Sequence, residues 1–167
     1  ARKGNNIYYT RCGLQKNAQA KCQLFMATKR GNTWSEEKKL PFSVDSFAFG
    51  HPAISSDEQL LVFSSDMPGG QGGKDVWYSV YDKKAKTFGA PVNLGPSVNT
   101  PGDEMYPFLH DDGSVYFSSN GQLGMGGLDI FKAEKKGDKQ WSNVTNMKAP
   151  LNSAADDFAI IFEGKKD

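Results

Sequence analysis

Apolar residues in this chain fall in short unbroken runs between polar, glycine-rich turns. Leu60-Leu61-Val62-Phe63 and Val115-Tyr116-Phe117 are continuous, with no polar residue alternating between them. Such runs are expected where both faces of a sheet are covered by neighbours. Each run belongs to a longer block. Asp57 to Tyr81, DEQLLVFSSDMPGGQGGKDVWYSVY, recurs as Asp111 to Lys135, DDGSVYFSSNGQLGMGGLDIFKAEK. Superposing the two pairs Phe63-Ser64-Ser65 with Phe117-Ser118-Ser119, Gly72-Gly73 with Gly126-Gly127, and Asp75 with Asp129, each 54 residues apart. A weaker copy lies upstream, where Tyr8-Tyr9-Thr10 stands in the place of Val62-Phe63-Ser64 and Gln23-Leu24-Phe25-Met26-Ala27 echoes Asp129-Ile130-Phe131-Lys132-Ala133. Periods of this length mark solenoids or propellers, whose units bury their faces only by stacking on one another.

Turn signals at matching places divide each unit into four strands. In the second unit these are Phe47–Ser55, Gln59–Ser65, Asp75–Asp82 and Thr87–Leu94. In the third they are Glu104–His110, Ser114–Ser119, Leu128–Glu134 and Gln140–Met147. The first unit opens on Asn6–Arg11, which matches a second strand, so it lacks a first. The run Asp156 to Phe162 follows the third unit where a new first strand should begin. The expected fold is an all-β propeller of four-stranded antiparallel blades. Its divisions are an incomplete blade at 1–45, whole blades at 46–100 and 101–149, and the first strand of a further blade in 150–167. A closed ring takes ~4 blades or more. The chain is therefore expected to form about half of a six-bladed propeller, completed by upstream sequence or by a second copy.

Composition agrees with this and excludes other classes. Eighteen Gly and eight Pro, beside eleven Phe, six Tyr and three Trp, favour short strands and tight turns over helices. A net charge of +1 generates no field that would draw nucleic acid or an anionic membrane. There is no run of eighteen apolar residues, and the opening ARKGNN lacks the apolar core of a signal peptide. Any targeting signal is expected to lie outside these residues or to have been removed.

Chemistry-bearing residues read mostly as structure. The loops Met67 to Gly73 and Gly121 to Gly127 are rich in glycine, yet neither fits a phosphate loop or a dinucleotide fingerprint. Their glycines, Gly72, Gly73, Gly126 and Gly127, are expected to supply positive φ, with Asp75 and Asp129 accepting backbone N–H bonds from the turn. The first unit lacks those glycines and has Cys12 and Cys22 at the corresponding strand ends. Cross-strand geometry allows a disulfide there, contributing roughly 2–3 kcal/mol. Asp103-Glu104 and Asp156-Asp157 recur before first strands, but no Asp-x-Asp-x-Asp-Gly spacing accompanies them, so no metal site is assigned. His51 and His110 are expected to be polar surface or turn residues. Ser64-Ser65 and Ser118-Ser119 are duplicated strand ends, and Trp34, Phe88 and Trp141 mark one packing position on the outermost strand. Asp57 and Asp111-Asp112-Gly113 are turn residues, and Lys83, Lys84, Lys86, Lys135 and Lys136 occupy outer hairpins. No catalytic residue and no cofactor is predicted.

Several of these blocks together resemble a known family: Tyr106-Pro107-Phe108 with Asp112-Gly113, Val115 to Ser119, Gly124 to Phe131, and Pro91 to Gly95 with Val98-Asn99-Thr100 and Asp103-Glu104. They are similar to the WD40-like (PD40) propeller repeats of Bacteroidetes OmpA-family envelope proteins, among them a lipoprotein of the type IX secretion system. The likeness covers two units well and the first poorly. It implies a periplasmic, outer-membrane-associated propeller in which peptidoglycan is held by a domain outside this chain. The function so implied is a non-enzymatic scaffold for envelope and secretion-system proteins. A glycan-binding or sialidase-like glycoside-hydrolase propeller is the alternative, but it requires carboxylates and a tyrosine gathered once at the central mouth, whereas the acids here repeat in matched turns. A regulatory propeller cut from a peptidase would be a third, without a hydrolase motif to accompany it.

Overall fold

The computed structural model describes residues 5–13 and 21–162, and these form thirteen strands and no helix. The fold is all-β, arranged as three antiparallel sheets in chain order. The first joins β1 (Asn6–Arg11) to β2 (Gln23–Arg30), with the two-residue strands β3 (Thr33–Trp34) and β4 (Lys38–Lys39) both on β2. The second runs β5 (Phe49–Ile54), β6 (Leu60–Ser65), β7 (Asp75–Asp82), with β8 (Thr87–Phe88) and β9 (Val92–Asn93) both on β7. The third is β10 (Glu104–Leu109), β11 (Val115–Ser119), β12 (Asp129–Gly137) and β13 (Gln140–Asn146).

The unbroken apolar run of β6 is divided between two cores. Leu61 and Phe63 join Leu24, Leu40, Phe49, Trp77 and Phe88 between the first and second sheets. Val62 joins Val76, Val98, Val115, Phe117, Phe131 and Trp141 between the second and third. Successive residues of a strand point to opposite faces, so a continuous apolar run is what a sheet with two covered faces requires. β1 differs: none of its residues is buried, and Ile7 and the nearby Trp34 are exposed. Trp34 thus departs from Phe88 and Trp141, which are buried, although all three share a place in the repeat.

One strand expectation is corrected. The outer strand Thr87–Leu94 is broken into β8 and β9. Pro91, between them, has no N–H to give a ladder, and the carbonyl of Gly89 accepts from Ser79 Oγ at 2.7 Å. Residues 156–162 follow the third sheet and pair with no strand among the described residues. Their backbone nevertheless copies the inner strands. Ala159 has φ 61°, as His51 has φ 54° and Tyr106 has φ 51° at the bulge of β5 and β10.

Candidate functional site

The repeated Gly–Asp loops stand where one sheet hands the chain to the next. Asp75, at the start of β7, is buried, and its Oδ2 accepts from the N–H of Gln71 at 2.5 Å and from Asn93 Nδ2 at 3.1 Å. Asp129 is likewise buried, and its Oδ2 accepts from the N–H groups of Met125 and Gly126 at 2.7 and 2.9 Å. Each carboxylate therefore organises the loop before it.

The glycines act differently from expectation. Gly72, Gly73, Gly126 and Gly127 do not have positive φ; in the first loop only Gly69 does, at 92°. Their missing side chains make room for the incoming connection. A Cβ on Gly72 would collide with backbone atoms of Thr100, Pro101 and Gly102, and one on Gly126 with those of Ser153 and Ala155. The space is used for bonding: Gly73 N–H donates to the Gly102 carbonyl at 2.9 Å, and Lys74 N–H to Asp103 Oδ1 at 2.8 Å. The next seam repeats this, with Leu128 N–H on Asp156 Oδ1 at 2.9 Å. The paired acids 103–104 and 156–157 are seam acceptors, and the described residues contain no group of acids, histidines and cysteines suited to a metal.

One asparagine per seam was not anticipated. Asn99 Oδ1 accepts from Val76 N–H at 2.8 Å while its Nδ2 donates to the Val76 carbonyl and to Asn93 Oδ1. Asn152 makes the same three bonds to Ile130 and Asn146. The first unit solves the problem with other residues. Gln23 takes the place of Asp75, and Ser43 Oγ accepts from Leu24 N–H and donates to Gln23 Oε1. Cys12 and Cys22 are joined by a disulfide with their Cα atoms 4.0 Å apart.

Glu104 is fully buried at the second seam. It accepts from Thr100 Oγ1 and Ser119 Oγ on Oε1 and from Thr100 N–H on Oε2. Burial pushes its carboxyl up from the usual range against those hydrogen bonds, and the Asp75 charge adds to the rise. Its folded form holds a proton more tightly than the unfolded chain, so this group's contribution to stability is present below the ordinary value of 4.5 and declines as pH rises through the folded value. Glu104→Gln, which keeps the shape and removes the charge, is expected to lose less stability than wild type between pH 4.5 and neutrality. Urea midpoints across that range check this, and parallel curves would refute it.

The inner strands line an open cleft of about 450 Å³ with His51, Tyr106, Phe108 and Ile161 among its walls. His51 is half-buried there, which corrects its assignment as a surface or turn residue. Its Nδ1 lies 3.0 Å from Ser64 Oγ and its ring stacks on Tyr106 at 4.0 Å. Burial, then the charge of Lys74, lowers its pKa. His110 remains a turn residue beside Asp112. Among the described residues the cleft is lined by aromatic and apolar side chains and His51.

Exposed apolar side chains stand on the loop 121–127. Its backbone is pinned by Gly121 N–H on Ser119 Oγ, by Asn146 Nδ2 on the Leu123 carbonyl, and by the two bonds to Asp129. Leu123 is 94% exposed and Met125 54%. The matching loop of the second sheet turns Met67 onto the core instead.

No protein-family model and no curated protein matches the chain. Among solved structures it is similar to a puromycin-hydrolyzing peptidase of Mycobacterium tuberculosis, with 13% identity and a TM-score of 0.57 over 93% of this chain and 22% of that one. It is also similar to a luciferin-regenerating enzyme, with 12% identity and a TM-score of 0.52 over 90% of this chain and 47% of that one. The chain thus spans less than half the length of either. At such identity the likeness concerns fold alone, a β-propeller-like all-β arrangement.

Proposed function

We propose that this chain is a non-enzymatic interaction module: a run of four-stranded blades, half of a six-bladed propeller, in a periplasmic protein associated with the outer membrane. The repeat blocks that resemble PD40 repeats support an envelope role, and among those proteins the chain is similar to PorE of the type IX secretion system. Its partners are then envelope and secretion-system proteins, with peptidoglycan reached only through a domain outside these residues. The observation that carries the reading is the loop 121–127, which holds Leu123 and Met125 in solvent on a backbone bonded at several points. An exposed apolar tip on a rigid loop suits docking to another protein, because little conformational freedom is lost on binding. In each glycine loop the buried carboxylate, Asp75 or Asp129, holds loop backbone through its Oδ2.

The test is affinity purification from an envelope extract containing the type IX machinery. Secretion components should be retained by the wild-type chain and lost with Leu123→Asp, a change at a solvated side chain that leaves the fold intact. Retention unaffected by that substitution, or turnover of a glycoside substrate, would overturn the reading.

A further inference from the structure

A second cleft, of about 820 Å³, opens between the facing sides of the first and second sheets. Phe88 is buried at its base, with the rings of Tyr8 and Tyr81 edge-on to it at 5.8 and 5.4 Å. Where β1 gives Asn6 and Tyr8 to this wall, β6 has Leu60 and Val62 at the same steps from its pairing with the next strand, and those two pack the core between the second and third sheets. Side chains with polar ends thus line the first seam where aliphatic ones fill the second.

Glu58 enters this cleft from the turn between β5 and β6, on a backbone that glutamate rarely adopts. Its φ is 56°, and the matching turn of the third sheet has Gly113 there, at 85°. Hydrogen bonds fix the match. Glu58 N–H donates to the Ser55 carbonyl and Gln59 N–H to Asp57 Oδ1, as Gly113 N–H donates to the His110 carbonyl and Ser114 N–H to Asp112 Oδ1. Glycine would serve the turn without strain. One carboxylate oxygen of Glu58, Oε2, accepts from Asn6 Nδ2 at 2.5 Å, whereas Oε1 is buried and has no partner among the described residues. Strain and a spare buried acceptor coincide where ligand contacts are made. Burial, then the charge of Glu58 and the neighbouring Tyr81, pushes the Tyr8 hydroxyl up to about 12, so that side chain stays neutral beside the carboxylate.

The mouth of the cleft has the opposite character. Arg30, Lys38 and Lys86 are exposed there, and the ion pairs among the described residues include none of them. They outnumber the acids of the mouth, Glu36 and Asp57, the second of which is engaged in its own turn. A lone cation would be repelled on entry, so the ligand that suits the cleft carries both signs: a charged donor for Glu58, an apolar stem for the rings, and an anion for the lysines.

We propose that this cleft binds the amino terminus of a peptide with an acidic residue close behind it, the α-ammonium group donating to Glu58 Oε1 beside Tyr8 and Tyr81 and the acid meeting Lys38 and Lys86. This goes beyond the proposed envelope role and does not depend on it.

Isothermal titration calorimetry with the tripeptide leucyl-glutamyl-glycinamide tests it. One-to-one binding is expected. Acetylating the amino group, or Glu58→Gln in the chain, should each weaken it roughly tenfold or more, and the two together should cost little beyond either one. Replacing the glutamyl residue by glutaminyl should weaken binding by a smaller factor, and Lys38→Ser with Lys86→Ser should abolish that difference. Glu58→Gly should lose binding while its urea midpoint stays equal to wild type or rises, because the turn regains an unstrained residue. Equal affinity for the free and acetylated peptides or for the glutamyl and glutaminyl ones, binding indifferent to Glu58→Gln, a lowered urea midpoint for Glu58→Gly, or no saturation at millimolar peptide would overturn the proposal.

Discussion

Phe63→Ala is expected to destabilise the chain by about 3–5 kcal/mol, the range for emptying a fully buried phenylalanine site. Phe63 has no exposed surface and stacks on Phe42 at 5.0 Å, with Phe49 at 6.0 Å. Those rings come from the connection after the first sheet and from β5, so the void would open between two sheets and neither could collapse into it alone. A chain of this size should lose roughly 10 °C or more in melting temperature. Trp34→Ala, at a site 53% exposed, is the control and should cost well under half as much. Equal losses at the two positions, read from denaturant midpoints, would mean that the sheets do not pack as described.

The second large effect is expected at Gly72. Alanine there meets backbone on the opposing connection and not the end of a flexible side chain, so relief requires the two segments to part. Overpacking of this kind costs about 1–3 kcal/mol and more where backbone must move; the upper end is expected for Gly72→Ala and for Gly126→Ala. Gly31→Ala is the comparison. Its positive φ of 61° gives a modest strain, but its Cβ would enter open space. Denaturant titration should rank Gly72 and Gly126 well above Gly31. The reverse order would mean that conformational freedom, not close approach, is what the loop glycines provide.

Much of this architecture could be read from the residues because repetition exposes what single positions hide. The unbroken run Leu60 to Phe63 already required two covered faces, and the match of Gln23-Leu24-Phe25 to Asp129-Ile130-Phe131 placed β2 in register with β12. What was misread involved contacts between distant segments. The spacing of Asn99 and Asn152 is visible in the sequence, yet that each would clasp the backbone of Val76 or Ile130 depends on where the connection returns. The glycine pairs suggested turns with positive φ because that is the local use of glycine, whereas their role is to admit a neighbouring chain. In the first unit, Ser43 substituting for the seam asparagine left no trace, since one serine among many carries no signal. The break at Pro91 is legible in the sequence, since a proline cannot donate to a ladder. Leu123 and Met125 read only as part of a glycine-rich turn, because the exposure of their side chains depends on bonds that reach the loop from Ser119, Asp129 and Asn146.

The seams bear on how the chain comes apart. The stretch from Leu94 to Asp103 is bonded to the sheet it leaves through Asn99 and forms the boundary of the sheet it enters through Asp103 and Glu104. Opening any one sheet therefore strips an edge from the next, and partial melting leaves buried backbone groups without partners on both sides. A linear stack of independent repeats can fray from its ends one unit at a time; a stack stitched in this way resists fraying and yields in a single collective event.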